Sequence, residues 1–440
     1  MDDINLGLAL AGLLLLIGMQ RMQAGQTAFP WFAAGLAVAV LAPLTLGGGE
    51  NQLILLAALG LGVVLALILG LAASMADLAA RLALLHGLTG AATALIASLA
   101  LIECLLEPGL PLGLACLAIL LGAFSAAGAA VTHARLANLL PRVWRHISQA
   151  GAGILLLAAT LGLGVIMALG LREGTGWLLL FLGLAAASGV TFTLPLAERE
   201  APLAASLFGS LSGLGLALLG TALDLPPLVA TGILSAGLTL LLSLHLSRSV
   251  QLPLRQLLWG TAPAKSEEVP HPAHHLHADA AAERLRAARE VLLIPGFGCI
   301  AAGACSELIE LGRKLEERGA RVLLLAHPLA GRLPGQLPLM LREAGAPAEW
   351  LIECWPQDAD TPALTLTIGA HDLINPELER KGLPDLRRAS SQGHEVILLM
   401  KSLAGFSGSI NPLLAQPHVH VWQEDARAGL ARLNELLRQG

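Results

Sequence analysis

Apolar residues run almost unbroken through the first half of the chain, in stretches near 4–20, 28–47, 52–74, 82–103, 110–131, 148–171, 176–196, 202–222 and 226–246. Each is close to the ~20 residues that an α-helix needs to cross a hydrocarbon core of about 30 Å. The pattern predicts a bundle of about nine membrane helices. Past residue 286 the period changes. Short branched apolar runs at 290–294, 321–326, 350–354, 363–368, 395–400 and 418–422 alternate with helical stretches at 301–318, 337–344 and 426–437. Strands and helices in this alternation predict a parallel sheet covered by helices, a Rossmann-like α/β domain. The expected division is a membrane domain over 1–246, a flexible linker over 247–285 and an α/β domain over 286–440.

Charge between the apolar runs gives the membrane part a direction. Arg21, Arg81, Arg135, Arg142, Arg145, Arg199, Arg248 and Arg255 fall in one alternating set of linkers. The other set holds Arg172 with Glu50, Glu103, Glu107 and Asp224. Positive residues collect on the cytoplasmic side, so the first set is read as cytoplasmic. An odd number of spans then leaves the N-terminus outside and the α/β domain in the cytoplasm. Asp2 and Asp3 precede the first run, where a signal peptide carries positive charge, so that run is read as a span.

Composition narrows the class further. The chain of 440 residues is 55% hydrophobic and 13% charged. Soluble domains carry about 25% charged residues, so a wholly soluble enzyme is excluded. A net charge of -5 offers no electrostatic footing for nucleic acid. Cys104, Cys116, Cys299, Cys305 and Cys354 show neither a C-x-x-C motif nor the spacing of a ligand set. His271, His274, His275 and His277 crowd the linker, yet no carboxylate or cysteine completes a tidy set. They read as part of a solvated tether, and no metal site is expected.

Two kinds of position carry candidate chemistry. The first predicted strand ends in Pro295-Gly296-Phe297-Gly298, and Gly296-x-Gly298-x-x-Ala301 opens the next helix. Glycines there permit a tight turn and close approach of a pyrophosphate to backbone N–H groups. The second predicted strand ends in His327-Pro328, not in the acidic residue of a standard NAD site. In the membrane half His86 is an ionisable residue well inside a span, and such groups are costly in lipid and usually functional. Imidazole titrates near neutral pH and can pass a proton on.

Four segments of the α/β domain, in order, resemble the NADP(H)-binding domain of the proton-translocating NAD(P)+ transhydrogenase beta subunit family. They are Pro295-Gly296-Phe297-Gly298; His327-Pro328-Leu329-Ala330-Gly331-Arg332-Leu333-Pro334-Gly335; Gly369-Ala370-His371-Asp372-Leu373-Ile374-Asn375-Pro376; and Gly405-Phe406-Ser407-Gly408 followed by Asn411-Pro412. More loosely, Leu85-His86-Gly87-Leu88-Thr89-Gly90, Glu200-Ala201-Pro202 and Ser210-Leu211-Ser212-Gly213 resemble segments of its nine-span membrane part. The family's Lys-Arg-Ser reads Met400-Lys401-Ser402 here, the Asn before its loop acid reads His371, and its intramembrane Asn reads Gly209.

The resemblance implies hydride transfer between NADH, bound to a partner alpha subunit, and NADP(H) bound here, coupled to proton movement. It implies that Gly296, Phe297, Gly298 and Ala301 hold the pyrophosphate region, and that Gly331, Arg332, Gly405 and Phe406 line or shape the nucleotide site. Lys401 and Ser402 then meet the 2′-phosphate. Asp372 lies beside the nucleotide and couples it to the membrane part, while His86 and Glu200 pass the proton. The implied setting is a bacterial inner membrane, with a homodimer in an α2β2-type assembly. The alternative reading is a divergent nucleotide-binding sensor or assembly protein without coupling or turnover.

Overall fold

The computed structural model describes residues 78–440 apart from 104, 138, 141–147, 173, 197–199, 251–271, 273, 329, 332–334, 357–361, 377–382, 387–393, 402, 404–410 and 440; before 78 it describes 10–14, 17, 21, 30–31, 34–35, 38, 60–64 and 67–68. The expected spans at 4–20, 28–47 and 52–74 lie largely outside the described residues. The chain forms two compact units, one of membrane-type helices and one of mixed α/β structure.

The helical unit contains α1 (Leu78–Ile102), α2 (Leu110–Leu136), α3 (Ser148–Ala168), α4 (Thr175–Thr193), α5 (Ala201–Ala222) and α6 (Pro226–Val250). Among the described residues, five helices are long and apolar enough to cross a membrane: α1, α2, α4, α5 and residues 226–244 of α6. Small residues set their spacing. A Cβ on Gly90 of α1 would lie 2.7 Å from the Gly122 carbonyl oxygen of α2, so the two backbones touch. Next to that seam Phe124, Phe192 and Phe208 pack with ring centroids 5.6–6.3 Å apart, Phe208 meeting the other two in the edge-on geometry that ring quadrupoles favour.

Successive helices run antiparallel. His133 Nδ1 near the end of α2 lies 2.7 Å from the Ala80 carbonyl oxygen at the start of α1. At the opposite end, Gly109 N–H donates to the Ala168 carbonyl at 2.8 Å. Arg81, Arg135 and Glu200 thus share one end of the bundle. Arg135 is buried there and donates from Nη2 to the Leu194 carbonyl at 2.5 Å.

Among the described residues the α/β unit forms a seven-stranded, all-parallel sheet in the order β1-β7-β6-β5-β2-β3-β4. Its strands are β1 (His274–His275), β2 (Glu290–Pro295), β3 (Arg321–Leu325), β4 (Leu351–Ile352), β5 (Leu364–Ile368), β6 (Glu395–Met400) and β7 (Val419–Gln423). Val291, Leu292, Leu293 and Ile294 are fully buried, as a central parallel strand covered on both faces requires. Helices α7 (Ala278–Ala287), α8 (Phe297–Ala301), α9 (Cys305–Glu317), α10 (Gln336–Glu343) and α11 (Ala426–Gln439) complete the unit. Leu308, Leu311 and Leu315 of α9 and Leu430, Leu433 and Leu437 of α11 supply apolar faces to one core.

Two expectations change here. The 247–285 stretch is not a tether throughout. Leu276 N–H donates to Val421 C=O at 2.9 Å, and Leu276, Ala281, Ala282 and Leu285 join the core. The helix expected over 301–318 begins only at Cys305, and the short α8 precedes it as a separate helix; Gly303 with φ +62 turns the chain between them.

Candidate functional site

In this sheet β2, β3 and β4 progress one way while β5, β6 and β7 progress the other, so the strand order reverses between β2 and β5. Open parallel sheets bind ligands in the crevice beyond the C-terminal ends of the strands at that reversal. Three glycines shape the crevice. Gly296 N–H donates to Ile368 C=O and Gly298 N–H to Gly369 C=O, both at 2.9 Å. A Cβ on Gly296 would stand 2.3 Å from Ala370 Cα, and one on Gly298 2.7 Å from Gly369 Cα. Gly369 itself holds φ +57, and its Cβ would meet Gly298 Cα at 2.5 Å. The loops after β2 and β5 therefore meet backbone to backbone. Glycine is required at all three positions by this contact, besides any approach to a ligand.

The β5 loop carries the polar groups. His371 is buried, and its carbonyl accepts from Asn411 Nδ2 at 3.2 Å. Both its ring nitrogens are buried, with no hydrogen-bond partner among the described residues. Asp372 Oδ1 lies 3.6 Å from His371 Nδ1, with that carboxylate side chain 17% exposed. Leaving a buried donor or acceptor unpaired costs about 1–3 kcal/mol. His371 thus presents a pair of unsatisfied nitrogens beside a carboxylate at the reversal point.

The other expected residues divide by place. Phe297 opens α8 beside Gly298, both half-buried, whereas Ala301 at the far end of α8 is exposed. Gly331 follows β3 with φ +138, in the region glycine favours. Lys401 follows β6 with its side chain 76% exposed and its ammonium 3.6 Å from Asp425 Oδ2. Since β3, β2, β5 and β6 are neighbours, these positions border the same edge of the sheet. Arg332, Ser402, Gly405 and Phe406 lie outside the described residues.

One pair escaped the sequence analysis. Cys299 and Cys305 are buried and share a thiol–thiol hydrogen bond. That bond, then burial, raises the Cys299 thiol well above its ordinary range, while the same bond lowers Cys305. Ala304 N–H donating to Cys299 C=O at 3.0 Å closes the turn that joins them.

In the helical unit, His86 lies on α1, about 12 Å along the axis from Leu78 at 1.5 Å per residue. Its ring rests on α5: a Cβ on Gly209 would be 2.6 Å from both Cε1 and Nδ1. Glu200 caps the start of α5 and is buried at 7% exposure. It stands about 13 Å along that helix from Gly209, so His86 and Glu200 do not meet directly.

Apolar helices joined to an open parallel α/β sheet with a glycine-built crevice at its strand reversal define a membrane protein of the dinucleotide-fold class. The family model described as NAD(P) transhydrogenase beta subunit matches residues 4–436. The chain belongs to that family. It is 26% identical over 262 residues to the NAD(P) transhydrogenase subunit beta of Rhodospirillum rubrum, and to the same subunit from a named strain of that organism. Each match covers 56% of this chain and spans 56% of the relative.

Proposed function

We propose that this chain is the NADP(H)-binding, proton-carrying subunit of a proton-translocating transhydrogenase. The observation that carries the reading is the strand-reversal crevice, where the Gly296–Gly298 and Gly369 loops meet beside His371 and Asp372. The residues fit a dinucleotide. Gly298 carries no side chain over the backbone at the mouth of the crevice, and the His371 ring nitrogens have no hydrogen-bond partner among the described residues. When bound, NADP(H) supplies the hydride chemistry. The chain's own task is to bind, orient and exclude water. Gly296, Gly298 and Ala301 belong to the pyrophosphate side. Gly331, Arg332, Gly405 and Phe406 complete the nucleotide cover, while Lys401 and Ser402 meet the 2′-phosphate. Asp372 and His371 sense the charge of the bound form.

In this reading NADH is held by an alpha subunit with its own NAD(H)-binding domain. His86 and Glu200 serve the proton path. About nine spans, a cytoplasmic α/β domain, a bacterial inner membrane and an α2β2-type assembly belong to the same proposal. The clustering of Arg81 and Arg135 at one end of the bundle supports the orientation.

Co-reconstitution with an alpha subunit in vesicles, read by a pH-sensitive dye, tests it. Nucleotide-dependent proton movement is expected. Nucleotide binding without proton movement would favour the sensor reading, and no binding at all would overturn both.

A further inference from the structure

Gly209 stands on α5 at its seam with α1. A Cβ there would lie 2.6 Å from Cε1 and Nδ1 of His86 and 2.9 Å from Cγ. Packed interiors do not tolerate such contacts, so the imidazole occupies the volume that any other residue at 209 would need. The walls of this seat are closed. Gly90, one turn along α1, would place a Cβ 2.9 Å from Ser212 Oγ of α5. That hydroxyl donates to the Phe208 carbonyl at 2.8 Å and reaches the His86 carbonyl at 3.4 Å. Phe208 is fully buried against Phe124 and Phe192. The helices cannot move apart to admit a side chain without breaking these contacts. The ring itself must turn to another χ1 well instead, which carries its nitrogens away from their place.

We propose that Gly209 is a positioning residue for His86: its missing side chain is the seat that holds the imidazole inside the bundle. This rests on the reading of His86 as a proton relay. A glycine seat holds the ring by packing and offers neither nitrogen a side-chain hydrogen bond. The seat itself therefore blocks neither nitrogen from receiving or releasing a proton.

The experiment is a double-mutant cycle on the full chain, His86→Ala against Gly209→Ala, with Gly209→Asn as a size control. Thermal midpoint is measured in detergent, and proton-linked turnover in vesicles with the alpha subunit. Alanine is the better helix former, so Gly209→Ala should raise the midpoint wherever the seat is empty. It should therefore lower the midpoint in the His86 background and raise it in the His86→Ala background. Turnover should fall about tenfold to a hundredfold in Gly209→Ala, the scale of an ångström's misplacement. It should fall at least as far in Gly209→Asn, and Gly209→Ala should cost nothing more once His86 is Ala. If Gly209→Ala alone does not accumulate, recovery on adding His86→Ala supports the seat and failure to recover overturns it. Equal midpoint changes in both backgrounds overturn it as well. A coupled midpoint with undiminished pumping in His86→Ala would instead leave the seat standing and remove the relay on which its role depends.

Discussion

Lys401 holds its ammonium in solvent 3.6 Å from Asp425, so a 2′-phosphate has to compete with an ion pair worth at most about 1 kcal/mol. A charge-assisted contact to a phosphate contributes roughly 1.5–3 kcal/mol. Lys401→Ala should therefore weaken NADPH binding by about tenfold and leave NADH binding unchanged, measured by titration of the full chain in nanodiscs. Equal losses for the two nucleotides would remove the phosphate contact. In the proposed site His371 and Asp372 border the same ligand. Asp372→Asn should change the pH profile of NADPH release, followed by stopped flow, without lowering the thermal midpoint. Superimposable release profiles would reduce Asp372 to a loop residue.

At the scale of elements, β1 shows what the sequence conceals. Branched apolar runs announce β2, β5 and β6, because strands buried on both faces need such residues. β1 is two exposed histidines held through backbone pairing with His420 and Val421, and nothing in its side chains marks a strand. The break between α8 and α9 was hidden for a related reason: glycine is frequent in this chain, so Gly303 carried no signal. The same turn hid the Cys299–Cys305 contact, which the spacing alone does not imply. The glycine motifs of the crevice were legible, but their tight mutual contact and the orphaned His371 ring depend on which strands become neighbours.

Two predictions belong to this scale. His274 and His420 pack with ring centroids 5.5 Å apart. Burial first, then Arg284, His274 and His418, lower the pKa of His420 against the opposing pull of Glu395. A histidine whose folded pKa lies below its unfolded value gives stability above the unfolded value of about 6.5, lost as pH falls through the folded one. The protection factor of the Leu276 amide, its exchange rate relative to the unfolded-chain rate at the same pH, should fall below about pH 6.5, and His420→Gln should abolish that fall. A protection factor that stays constant across this range would uncouple β1 from the histidine pair. Gly369→Ala meets the Gly298 backbone and a left-handed φ at once, so strain of about 1–3 kcal/mol should lower the thermal midpoint by several degrees. An unchanged midpoint would mean that the two loops can separate freely.

Across the whole molecule, an apolar bundle with half-buried His86 on a helix seam and an α/β unit with a strand-reversal crevice occur in a single chain of the transhydrogenase beta subunit family. His86→Ala should spare NADPH binding while abolishing or slowing proton-linked turnover, since its contacts lie within the helical unit. Undiminished pumping would make His86 a packing residue and turn attention to Glu200. The crevice supports the central claim, and hydrogen exchange of the full chain in nanodiscs, with and without NADPH, tests it most directly. The account predicts slowed exchange at 296–301 and 369–375 with NADPH, and much less with NADH at the same concentration. Unchanged exchange in both segments, with protection elsewhere or nowhere, would contradict it.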